Sequence, residues 1–140
     1  MATVARPVHV NYWALWFGFL GAAAAWSVHE LAALAITTHY CYPAGEPLPS
    51  PSLQGIWVTD LIVIAAAALV ALGSLFTAVA QWRAYRPVSD VDWRAEMMES
   101  SGGRAARFLS FSGVLFGVVF LSMIVYSGIA LFVVPLCGYH

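Results

Sequence analysis

Ile56-Trp-Val-Thr-Asp60-Leu-Ile-Val-Ile-Ala65-Ala-Ala-Ala-Leu-Val70-Ala-Leu-Gly-Ser-Leu75-Phe-Thr-Ala-Val-Ala80-Gln-Trp82 contains one ionisable side chain, Asp60, and has a tryptophan near each end. Two further apolar runs flank it, Tyr12 to Thr38 and Phe108 to Leu136. Each exceeds the ~20 residues that cross ~30 Å of hydrocarbon at ~1.5 Å per residue. A backbone in hydrocarbon must satisfy its own polar groups, which a helix does within one segment. An eight-strand membrane barrel cannot be built from three runs. The expected fold is all-α: an integral membrane three-helix bundle, one transmembrane domain over residues 1–140, with spans of about 12–38, 56–82 and 108–136.

The composition agrees. Hydrophobic residues make up 61% of the 140 and charged residues 9%, against about 25% charged in a soluble domain. A formal net charge of −1 excludes a nucleic-acid footprint. Two cysteines are too few for a disulfide-rich scaffold. Aromatics gather where the runs end, at Tyr12, Trp13, Trp16, Tyr40, Tyr42, Trp57, Trp82, Tyr85 and Tyr139, as in an interfacial belt. Gly21 to Ala25 could pose as a signal-peptide cleavage site, but the apolar run continues through Ile36, which favours a retained anchor. All six basic residues are arginine, a bias that fits a GC-rich bacterial genome.

Orientation follows from those arginines. Arg6 lies in the N-terminal tail, and Arg83, Arg86, Arg94, Arg104 and Arg107 lie in the second loop. The first loop, His39 to Gly55, and the tail after Leu136 have none. Under the positive-inside rule the N-terminus is cytoplasmic and the C-terminus periplasmic. Pro43, Pro47, Pro49 and Pro51 predict an extended, non-helical first loop. In the second loop, Trp93 to Glu99 can form a short surface helix that Ser100 to Gly103 would break.

This topology places Cys41 and Cys137 at the same, oxidising face, where a disulfide is expected. The same residues with His39 and His140 form a two-Cys, two-His set that could bind zinc or copper, a weaker candidate. No C-x-x-C-H motif is present, so covalent haem attachment is not indicated.

Three ionisable residues fall inside the spans: His29, Glu30 and Asp60. Charge at membrane depth is costly and usually faces protein or water. Asp60 is expected about one turn into its helix, near the headgroups, where the helix dipole favours a carboxylate. His29 shares a helical face with Gly18, Ala22 and Ala25, small residues of the kind that line helix–helix contacts. It is expected in a packed seam, bonded to a neighbouring helix, to Glu30 or Asp60, or to a partner protein. As a haem ligand it lacks a second axial donor at the same depth in this chain. Gly113-Val-Leu-Phe-Gly117 is a G-x-x-x-G packing motif, and Ala67, Ala71, Ser74 and Ala78 form a comparable face on the middle run. Ser110 and Ser112 have no nearby base, and no phosphate loop or paired-carboxylate site appears, so an enzyme is not expected. A carrier is disfavoured too, since no repeat and no broken helices are visible.

Two stretches carry a resemblance. One runs from Tyr12 to Cys41 through Ala25-Trp26-Ser-Val-His29-Glu-Leu; the other is Gly103-Arg104-Ala-Ala-Arg107-Phe108-Leu-Ser-Phe-Ser-Gly113, continuing to Pro135-Leu-Cys137. Together, over about half the chain, they resemble a family of small bacterial membrane proteins encoded beside haem–copper cytochrome c oxidase genes. The resemblance implies marks at Trp26, His29, Cys41, Arg107, Pro135 and Cys137 and no catalytic residue. It implies an accessory subunit or assembly helper of a respiratory terminal oxidase in the inner membrane, without a cofactor of its own. The alternatives are a haem- or quinone-binding anchor using His29, or a periplasmic-face copper-handling protein using the outer Cys and His residues.

Overall fold

The computed structural model describes residues 11–46, 53–85, 101–134 and 137. Among these residues three long helices form one bundle: α1 (Tyr12–Cys41), α2 (Leu53–Ala84) and α3 (Ser101–Val133). Each is long and apolar enough to cross a membrane. The short turn Pro43–Gly45 is 3₁₀ and follows α1 directly. Asn11 caps α1, its side-chain oxygen accepting a hydrogen bond from the Ala14 N–H at 3.2 Å, which satisfies one of the free donors at a helix start.

Several boundaries differ from the sequence reading. α1 continues to Cys41, and Pro43 opens a helical turn rather than an extended path; proline is well tolerated in a first turn, where no N–H is needed, and Pro47, Pro49 and Pro51 lie outside the described residues. α2 starts at Leu53, so Asp60 lies about two turns in, beyond the single turn over which a helix terminus favours a carboxylate. Ser101, Gly102 and Gly103 begin α3, while Ser100, expected with them to end a preceding surface helix, lies outside the described residues. Their weak helix propensity is overridden by the apolar helix they lead into. That helix ends at Val133, before the expected Leu136. The proposed Trp93–Glu99 surface helix lies outside the described residues.

The core is built from small side chains. Ala22, Ala25, Ala67 and Ala71 cluster around Ile124, with Trp26, Ile64 and Phe120 packed against them. Small residues let the backbones approach until carbonyls touch neighbouring helices. A Cβ on Gly113 would lie 2.6 Å from the Gly18 carbonyl oxygen, and one on Gly18 would lie 3.1 Å from Ala78 Cα. All three helices therefore meet at one level. Ser74, fully buried on α2, fixes that contact: its hydroxyl lies 2.9 Å from the Phe17 carbonyl and accepts from the Ala22 N–H at 3.1 Å.

Aromatic pairs tie the helices along their length. Phe19–Phe116 and Trp26–Phe120 join α1 to α3, at centroid distances of 5.3 and 5.5 Å. Trp57–Phe132 (4.8 Å) and Trp82–Phe111 (6.2 Å) join α2 to α3 near opposite ends of the bundle. The outer wall is apolar: Leu34, Leu69, Phe76, Phe108, Ile129 and Phe132 are all exposed. Large side chains outside and alanine inside are the reverse of a water-soluble bundle and suit a surround of lipid tails.

Candidate functional site

Cys41, the last residue of α1, is disulfide-bonded to Cys137, just past α3, with the two Cα atoms 5.4 Å apart. The bond spans 96 residues and fastens the first helix to the third at one end of the bundle. Cys137 has a left-handed φ of 60°, a conformation that costs a non-glycine residue about 1–2 kcal/mol and that the bond helps hold. With both sulfurs in that bond, neither is a thiolate ligand. His39 is exposed on the last turn of α1, its ring edge-on to Tyr40, and His140 lies outside the described residues. Among the described residues no three His, Cys, Asp or Glu side chains form a metal-ligand group.

The ionisable residues within the helices form a second feature, below the disulfide. His29 continues the small-residue face of α1, and burial of Gly18, Ala22 and Ala25 along that face takes the imidazole inward, to 2% exposure. Glu30, one residue on and about 100° around the helix, turns toward the α1–α3 boundary and keeps 46% of its side chain exposed. Its carboxylate oxygen accepts a hydrogen bond from the Ser127 hydroxyl of α3 at 3.0 Å. The same oxygen lies 3.5 Å from His29 Nδ1, an electrostatic contact that leaves Nδ1 without a hydrogen-bond partner. Asp60 on α2 is half-buried and has one shielded oxygen with no hydrogen-bond partner. Glu30, His29 and Ser127 thus form a small polar cluster between α1 and α3 in an apolar bundle.

Beside the cluster a groove of about 630 Å³ opens sideways between α1 and α3. Trp26 and Glu30 form one bank; Val119, Ser122, Tyr126 and Ser127 form the other. Trp26 is also half of the Trp26–Phe120 pair, which ties this bank to α3. Ser122 is internally satisfied by the Val118 carbonyl, leaving Glu30 as the groove's charged group.

The structure brings His29 and Glu30 together, shows no hydrogen bond or ion pair from Asp60 to either among the described residues, and buries Gly18, Ala22 and Ala25 against α2 and α3. Gly113 faces Gly18, and Gly117 faces Leu75. Ser110 is buried and donates to the Ala106 carbonyl of its own helix. Ser127 and the bridging role of Ser74 escaped the sequence reading. A signal for Ser127 existed: Gly113, Gly117, Phe120, Ile124 and Ser127 follow one another at spacings of four, three, four and three, which marks one helix face. At the opposite end, burial pushes the Tyr85 phenol above its ordinary value, and nearby Tyr12 adds to the shift.

Compared with known proteins, the chain matches no family model, no curated protein and no solved structure.

Proposed function

We propose that the chain crosses a bacterial inner membrane three times, N-terminus in the cytoplasm and C-terminus outside, as a non-catalytic accessory subunit or assembly factor of a larger membrane complex. A respiratory terminal oxidase is the first candidate. The orientation rests on the arginines, all of which belong to the N-terminal tail and the second loop. It also puts Cys41 and Cys137 where disulfides persist.

The observation that carries the accessory reading is Glu30. The small-residue faces that commonly join membrane helices are used inside this bundle, between α1, α2 and α3. What remains outside is an apolar wall interrupted by a carboxylate with 46% of its side chain exposed. A charged group left in hydrocarbon costs about 2.5–3.5 kcal/mol even on the mildest scales. A wall with such a group is suited to being covered by protein. The resemblance noted above supplies the choice of an oxidase.

A haem- or quinone-binding anchor using His29 has less support. The imidazole is shut inside the seam, 2% exposed, so an axial ligand would require the helices to part. Copper handling would need both thiols, which the disulfide removes.

Affinity purification in mild detergent, with mass spectrometry and a visible spectrum, tests the reading. The expected product contains subunits of a larger membrane complex, with haem–copper oxidase subunits foremost, and the isolated chain has no haem band. A chain that purifies alone overturns it. A haem band that vanishes on His29→Ala replaces it with the anchor reading.

A further inference from the structure

Glu30 lies eleven residues before Cys41, about 16 Å below the disulfide along α1. Among the described residues it has one hydrogen bond, from Ser127, for a carboxylate able to accept about four. Behind it the buried His29 nitrogen, unpartnered, faces the same oxygen at 3.5 Å. In front is the open groove, whose banks are Trp26, Val119 and Tyr126. An apolar trough with one under-satisfied acceptor fits an apolar rod that carries one donor.

We infer that the α1–α3 groove docks a transmembrane helix of a different protein, and that this helix presents an arginine, lysine or histidine to Glu30. Charge complementarity selects this occupant over a second copy. Copies in one membrane share an orientation, so equal depths face each other. At the depth of Glu30 this chain offers Glu30 itself and a buried His29, with a further carboxylate, Asp60, two turns into α2, whereas its arginines occur only in the N-terminal tail and between Arg83 and Arg107, from the last turn of α2 to the first turns of α3. A copy would therefore place carboxylate against carboxylate. An open trough also suits a helix ridge, which seats between the ridges of its neighbours, with Tyr126, 74% exposed, as a lateral wall.

The inference rests on the accessory-subunit reading and adds the place and chemistry of the contact. Its test is photocrosslinking of the full chain in cells, with a benzoylphenylalanine at Tyr126 or at Val119, followed by mass spectrometry of the adducts. The expected adduct is a membrane-span peptide of another protein with Arg, Lys or His within one turn of the linked residue. Glu30→Gln is expected to reduce that adduct at least tenfold, while non-reducing gels still show the Cys41–Cys137 bond and hence a folded bundle. Adducts only with lipid or with a second copy, no adduct, a partner segment without a basic residue, or an adduct indifferent to Glu30→Gln would each overturn it. If a complex still co-purifies in those cases, the accessory reading survives and only the groove is wrong. If none does, both fall.

Discussion

Replacing Gly113 with alanine places a methyl group 2.6 Å from the Gly18 carbonyl oxygen and 3.2 Å from Phe19 Cα. Ordinary carbon–oxygen contacts are about 3.3–3.6 Å, so α1 and α3 must separate by roughly 0.7 Å. The obstacle is backbone, not a side-chain tip, so it cannot swing aside. A gap of that size forfeits a quarter to a half of each dispersion contact along the seam. Over-packing of this kind typically costs about 1–3 kcal/mol. Alanine also gains about 1 kcal/mol over glycine in helix propensity, which would mask the effect in a single comparison. Gly73 supplies the control, because it lies inside α2 with nothing within 4 Å of its would-be Cβ. Gly73→Ala has the propensity gain without the clash. In equilibrium unfolding in mixed micelles with the disulfide intact, Gly113→Ala should be less stable than Gly73→Ala by about 1–3 kcal/mol. If the two variants are equally stable, or Gly113→Ala is the more stable, α1 and α3 do not touch at this level and the packing described here is wrong.

Ser74→Ala removes the hydroxyl that lies against the Phe17 carbonyl and should cost about 0.6–1.7 kcal/mol in the same assay, whereas Thr77→Ala, whose hydroxyl bonds its own helix at Gly73, should change stability by less. Cys41→Ser should lower stability by about 2–4 kcal/mol, short of the ~4.7 of the chain-entropy model for a 100-residue loop, because the micelle of the assay already confines the helix ends; chemical denaturation of oxidised and reduced protein measures this. Ser127→Ala should destabilise the bundle by about 0.6 kcal/mol, leave the disulfide intact, and weaken the photo-adduct formed at Val119 less than Glu30→Gln does. A periplasm-active reporter fused after His140 should be active, and one fused at Ser89 inactive; the opposite pattern would invert the assigned topology.

The helices were legible because length and hydropathy alone force them. A run such as Ile56–Trp82, with one ionisable side chain, has no other structure open to it in lipid. Their ends were less legible. Leu53-Gln54-Gly55 and Ser101-Gly102-Gly103 have no distinctive helical period, and their helicity comes from the cooperativity of the apolar segment that follows. That shift moved Asp60 from an expected helix start to a position two turns in. The seam was partly legible, since Gly18, Ala22, Ala25 and His29 repeat at helical spacing. Which helix each face meets was not, because small residues line all three helices. Glu30 shows the limit best. Sequence places it beside His29, but its role depends on a 100° rotation, on Ser127 from 97 residues away, and on a groove that exists only once α1 and α3 have packed.

The most direct test of the bundle and its orientation uses the two sulfurs. Membranes from cells expressing the chain are denatured and treated with a maleimide–polyethylene glycol, with and without prior reduction. Two Cys at one oxidising face, joined across α1 and α3, predict no mass shift before reduction and two additions after it. Two additions without reductant would mean free thiols, and would contradict both the joined helix ends and the external placement of Cys41 and Cys137.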